Sequence, residues 1–160
     1  MSHIRLSARA IIIHDGKILL NHRPDSCTCP GYCNFPGGGI EQDETAKQAV
    51  VREVLEETGY HVTVGEMVFA LEYEPKSCGY SINGQAHTQA HNSYFFRCYL
   101  DETKPRQEPT EKDNPGANVA WFDLSELDVL NLVPRIAEPL LEYTKTGTFS
   151  PLFWSECEHL

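Results

Sequence analysis

Between Thr45 and Gly59 the chain carries both a helix start and a helix stop, and nothing else in its 160 residues constrains the fold as tightly. Thr45 followed three residues later by Gln48 matches a capping box, in which side chains satisfy two backbone donors that the first helical turn leaves without partners. Gly59 supplies the closing residue at the other end. Asp43 and Glu44 stand where the helix dipole favours negative charge. A helix from about Thr45 to Thr58 is therefore predicted, and the rest of the fold must pack against it.

The segments around it read mainly as strands. Ser7 to His14 is apolar and β-branched, Lys17 to Arg23 carries Ile18, Leu19 and Leu20, and Asp15-Gly16 between them supplies the positive backbone angles of a tight hairpin turn. Pro24 to Asn34 reads as an irregular loop. Two further strands are expected around Val62 to Tyr73 and Ser93 to Leu100, the second rich in aromatic residues. After a polar loop from Asp101 to Gly116 come a short strand near Val119 to Phe122, a turn with Ser125 as its cap, and a helix from about Pro134 to Tyr143. Interleaved strands and helices imply an α/β layered fold with a mixed sheet, and the length suits one domain spanning residues 1–160.

The helix also carries chemistry. At about 100° per residue, Glu53, Glu56 and Glu57 stand at i, i+3 and i+4 and share one face. Val50, Val51, Val54 and Leu55 fall on a broad opposite arc expected to bury against the sheet, with Ala46 and Ala49 beside the acids. Three close carboxylates repel one another, so Arg52 or a hard divalent cation such as Mg²⁺ or Mn²⁺ is expected to offset the repulsion. An arbitrary Glu-rich helix would simply be a solvated face. Here Gly37, Gly38 and Gly39 just ahead of it let backbone approach a ligand closely, which shifts the balance toward a site.

Taken together, Gly38, Glu44, Arg52, Glu53, Val54, Glu56, Glu57 and Gly59 stand at the spacing of the Nudix box, which this chain resembles, with Tyr60 in place of the final aliphatic residue. The resemblance implies a Nudix-type α/β/α sandwich and metal-dependent hydrolysis of a diphosphate linkage in a nucleoside diphosphate joined to another group, of the NTP, nucleotide sugar or ADP-ribose type. It implies that Glu53, Glu56 and Glu57 bind Mg²⁺ or Mn²⁺ with help from the Gly37 carbonyl, while Arg52 and Glu44 orient the acids. Metal ions can lower the pKa of a bound water and neutralise charge on bridging oxygens. Members of the family often take a general base from a loop outside the box, and Glu108, Glu111 and Asp113 are the candidates, Glu111 foremost. Pro75, sixteen residues beyond Gly59, is similar to a proline that marks ADP-ribose hydrolysing members. Leu19, Leu20, Arg23, Gly31 and Phe35 to Gly38 partly resemble a coenzyme A signature that lacks its middle arginine here. Gly38, Gly39, Arg23 and Tyr73 are the expected substrate contacts. Arg9 and Arg97 are further candidates for phosphates, and Tyr32 and Phe69 for stacking on a base.

Composition bounds the partners. A formal net charge of −10 argues against a nucleic acid polymer, whose binding draws on Lys and Arg, but leaves room for a small phosphorylated nucleotide if cations supply positive charge. No apolar stretch approaches bilayer-spanning length and no secretory signal is evident, so a cytoplasmic location without membrane contact is expected. Six cysteines are then expected to be free thiols. Cys27, Cys29 and Cys33 cluster, yet lack the paired gaps of a structural zinc site. A homodimer fits the family, although no interface is legible. The competing reading is a sensor of the same fold that binds a nucleotide sugar without cleaving it.

Overall fold

The computed structural model describes residues 4–25, 31–73, 81–82, 85–86, 90–110 and 118–155. The first hairpin forms as the sequence implies. Strand β1 (Arg5–His14) and strand β2 (Lys17–Arg23) are joined by Asp15 and Gly16 with φ of 48° and 73°, the paired positive angles of a two-residue hairpin turn. The two strands pair only beside that turn, at Ile13 with Ile18 and His14 with Lys17. Beyond it they part, and their separation creates the site.

Each strand then finds other neighbours. β1 runs parallel to β8 (His91–Leu100) and antiparallel to β4 (Gly37–Gly39), the latter through Ser7 to Arg9. β2 pairs antiparallel with β3 (Tyr32–Asn34) and with β9 (Asn118–Asp123). β5 (Val62–Tyr73) pairs antiparallel with β8, and β11 (Phe153–Ser155) adds to it in parallel. β10 (Leu132–Val133) lies parallel to β3. A small separate pair is formed by β6 (Ser81–Ile82) and β7 (Gln85–Ala86). Parallel and antiparallel pairings thus occur in one sheet, and the mixed α/β class read from the sequence holds. Among the described residues no helix is long and apolar enough to cross a membrane.

Strand alternation sorts the core into two layers. Ala8, Ala10 and Ile12 of β1 pack with Leu19, Phe96 and Cys98 beneath helix α1 (Ala46–Thr58). Ile11 faces the other way, with Phe69, Leu71 and Phe95, toward Leu140 and Tyr143 of helix α2 (Ala137–Thr146). Phe69, a candidate for base stacking on sequence alone, is instead sandwiched between Phe95 and Phe149 at ring separations of 4.2 and 4.1 Å. Its ring faces are occupied by the core.

Several details differ from the sequence reading. α2 begins at Ala137 rather than Pro134, and Pro139 sits in its first turn, where a missing N–H leaves no hydrogen bond unmade. The short turn at Leu124–Glu126 is capped by Asp123, whose carboxylate accepts from both the amide and the hydroxyl of Ser125; Ser125 is inside the turn and not its cap. Part of the expected loop Pro24 to Asn34 pairs as β3, and the glycine run itself is a strand, because Gly37 to Gly39 can press against β1.

Candidate active site

α1 begins and ends where its caps dictate. The Thr45 hydroxyl accepts from the Gln48 amide at 3.3 Å, the Thr45 amide donates to Gln48 Oε1 at 2.8 Å, and Gly59 closes the last turn at φ 73°. The face it buries is only half the one expected: Val50 and Val54 are core as read from the sequence, while Val51 and Leu55 are not. Ala49, Val50, Val54 and Thr58 are fully buried, whereas Val51 is 42% exposed and Leu55 only partly covered. At 100° per residue Glu53 and Glu57 lie within the buried arc, so packing and chemistry share one side of the helix. The acids look inward, over the gap where β1 and β2 part.

Each acid is held differently. Glu57 Oε2 accepts from the Gly37 amide at 2.7 Å and from Asn21 Nδ2 at 3.0 Å. Glu53, with its side chain 13% exposed, accepts from Arg52 at 2.8 Å, and Glu56, 40% exposed at the rim, accepts from the same guanidinium nitrogen at 3.2 Å. Arg52 also grips Glu44 through two bonds of 3.1 and 2.5 Å and reaches the Gly39 carbonyl at 3.1 Å. This paired, charge-assisted contact holds the Glu44 carboxyl below its ordinary range, helped by the Glu41 amide, and raises the Arg52 guanidinium well above its own. Glu44 therefore serves Arg52 rather than the helix dipole.

The glycines are required by space. A Cβ on Gly37, at φ +132°, would lie 2.2 Å from the Ala8 carbonyl oxygen; one on Gly38 would lie 2.5 Å from the Glu53 carboxylate. Arg9 donates to the carbonyls of Phe35 and Gly37, tying β1 to the glycine strand. Burial lowers the Arg9 pKa, and the nearby charges of Glu57 and Glu53 oppose that shift.

These elements enclose a cavity of about 250 Å³. Its walls bring together Glu53 and Glu57 from α1, Gly37, Gly38 and Gly39 from β4, Arg5 and Arg9 from β1, and Asn21 and Arg23 from β2. Tyr32 also lines it, with the Arg23 guanidinium 5.7 Å from its ring centre. Tyr73, expected to contact substrate, is placed elsewhere: it is buried in the core and stacked on His91 at 4.9 Å. Arg97 is likewise drawn away, donating to the carbonyls of Ile11, Ile13 and Cys98. Glu111 and Asp113, with Cys27, Cys29 and Pro75, lie outside the described residues. Thr110, which precedes Glu111, donates its amide to the Glu56 carbonyl at 2.9 Å, and Glu108 is exposed. Arg5 and Asn21 escaped sequence reasoning because only the parting of β1 from β2 brings them to the cavity.

The donor set suits a hard cation, for it offers carboxylate and carbonyl oxygens and no thiolate. Among the described residues the buried Asn21 Oδ1 has no hydrogen-bond partner, so polar capacity is left over beside Glu57. Among the described residues no three acids, histidines or cysteines converge on one point, because Arg52 stands between Glu53 and Glu56 and Glu57 is turned to the Gly37 amide. The residues fit the group; binding requires these carboxylates, and the Gly37 carbonyl that accepts from Arg9, to exchange partners.

A mixed sheet with a glycine strand lying under an acid-bearing, inward-facing helix defines an α/β protein built around a carboxylate site. The NUDIX domain model matches residues 3–143, and the chain belongs to the Nudix family. Members of that family act on small nucleotide-type substrates and generally use divalent metals such as Mg²⁺ or Mn²⁺. Among curated relatives, the CTP pyrophosphohydrolase of Escherichia coli (strain K12) is 49% identical over 65 residues, 41% of this chain and 48% of that protein. The ADP-ribose pyrophosphatase of Methanocaldococcus jannaschii is 44% identical over 57 residues, 36% of this chain and 33% of that protein. The chain thus spans about half or less of the length of these relatives. A solved NUDIX hydrolase from Nitrosomonas europaea shares the fold with a TM-score of 0.69 at 21% identity, covering 94% of both chains.

Proposed function

We propose that the chain is a Mg²⁺- or Mn²⁺-dependent hydrolase that cleaves the diphosphate linkage of a nucleoside diphosphate joined to another group, whether an NTP, a nucleotide sugar or an ADP-ribose type molecule. One observation carries the reading: Glu53 and Glu57 face arginines across a single cavity. In a chain of net charge −10, three guanidiniums gathered there are a local exception that suits a polyanionic ligand. Arg5 and Arg23 would hold phosphate oxygens, Gly38 and Gly39 would let the ligand lie close to backbone, and Tyr32 would offer a ring face to a base. Glu53, Glu56, Glu57 and the Gly37 carbonyl would hold the cation, with Arg52 as the group that keeps the acids in register. Such a cation supplies an acidified water and neutralises charge developing on the bridging oxygens. Glu111 is the proposed general base, and Glu111→Gln is expected to lower turnover far more than it weakens substrate binding.

The test is product release from a nucleotide panel with Mg²⁺ or Mn²⁺, comparing the parent with Glu57→Gln. Metal-dependent cleavage by the parent and its loss in the variant are expected. Tight nucleotide binding by the parent without any product would reject hydrolysis and favour the sensor.

A further inference from the structure

Asn21 sits partly buried in the wall of the cavity, at the point where one face of β2 passes from the buried Leu19 to the charged Arg23. Strand alternation puts it on the same face as Leu19, which is buried beneath α1, and its register partners are Asn34 on β3 and Val119 on β9. The amide there is incompletely satisfied: Oδ1 is buried with no partner among the described residues, while Nδ2 donates to Glu57 Oε2 at 3.0 Å. A buried acceptor without a partner is destabilising, whereas an apolar side chain of the same shape would avoid the penalty. What the amide does provide is a second donor on the oxygen already held by the Gly37 amide at 2.7 Å. Two donors arriving from β2 and β4 fix the carboxylate in direction, which one donor cannot do.

We propose that Asn21 is a positioning residue that sets the Glu57 carboxylate for cation binding. The inference rests on the reading of Glu57 as a cation ligand given above. Groups that orient a metal ligand typically change metal affinity by about 10- to 100-fold when removed. A residue with a purely structural role would show itself in stability and leave cation affinity alone.

The experiment titrates the full chain with Mn²⁺ alone, reading free Mn²⁺ by electron paramagnetic resonance, and records melting curves of the metal-free protein. Asn21→Leu, close in shape and without the orphaned oxygen, is expected to melt at or above the parent temperature while binding Mn²⁺ about 10- to 100-fold more weakly. Asn21→Ala, which needs no extra room, is expected to show the same loss of affinity. Mn²⁺ affinity within about twofold of the parent in both variants, or a loss that only tracks unfolded protein, would overturn the assignment. Glu57→Gln separates the two levels. If it loses Mn²⁺ binding while both Asn21 variants keep it, the role of Asn21 alone falls; if it too binds like the parent, Glu57 is not a ligand and both readings fall.

Discussion

Replacing Gly38 by alanine should separate catalysis from stability. The added Cβ would stand 2.5 Å from Cδ and Oε1 of Glu53 and 2.7 Å from Oε2, where ordinary contact begins near 3.4 Å. The carboxylate must therefore retreat by roughly 1 Å, and it can, because it is the end of a flexible side chain. Gly38 is not in the left-handed region, so alanine itself is tolerated and contributes roughly 0.4–1 kcal/mol through the unfolded chain. Against this stands a weakened Arg52–Glu53 contact, a charge-assisted bond worth roughly 1.5–3 kcal/mol when buried and less at this partly open site. The net is a change within about 2 kcal/mol, or a melting shift of no more than roughly 4–8 °C for a chain of this length. Activity should respond quite differently. A misplacement of this size at a catalytic group costs on the order of 100-fold, about 2.7 kcal/mol in transition-state stabilisation. The assay is kcat/KM on the best nucleotide of the panel with Mg²⁺, paired with a thermal melt. A variant within about threefold of the parent kcat/KM, or one whose loss matches its unfolded fraction, would refute the argument.

Three other outcomes follow from the same geometry. Gly37→Ala should destabilise by roughly 3 kcal/mol or more in urea unfolding, because its Cβ meets the β1 backbone and the φ of +132° disfavours any side chain; a normal transition midpoint would contradict this. Arg52→Gln should be less stable than the parent near neutral pH, with the gap closing as pH falls below about 4.5: the Glu44 carboxyl is depressed in the folded state, so its contribution is present above the ordinary value and lost as pH drops through the folded one. A gap of equal size in acid and at neutrality would exclude that linkage. Burial pushes the thiols of Cys33 up to about 11 and Cys98 up to about 12, so iodoacetamide at about pH 8 should label neither until the protein is unfolded, as mass spectrometry of the digested chain would read.

Local chemistry made α1 legible, since Thr45, Gln48 and Gly59 fix its ends without help from the rest of the chain. The Asp15–Gly16 hairpin was readable for the same reason. What periodicity misjudged was the direction of the helix. Val51 and Leu55 looked like core, and Glu53 and Glu57 looked like a site on a face apart from the packing, yet the glycine strand leaves a polar space beneath the helix into which those two acids turn. β3, β4, β10 and β11 are two or three residues long and exist through pairing with distant partners, which no local pattern records. Asn21 was hidden likewise, for its meaning comes from Glu57, 36 positions away.

The central claim is that a divalent cation binds on the inward side of α1 against the glycine strand. Titrating trace Mn²⁺ into ¹⁵N-labelled protein and following amide line widths tests it directly, because the paramagnetic ion broadens the signals nearest to it. The account predicts that the amides of Gly37, Gly38, Glu53 and Glu57 broaden first and together. Broadening spread over the exposed acids, with those four left sharp, would contradict it.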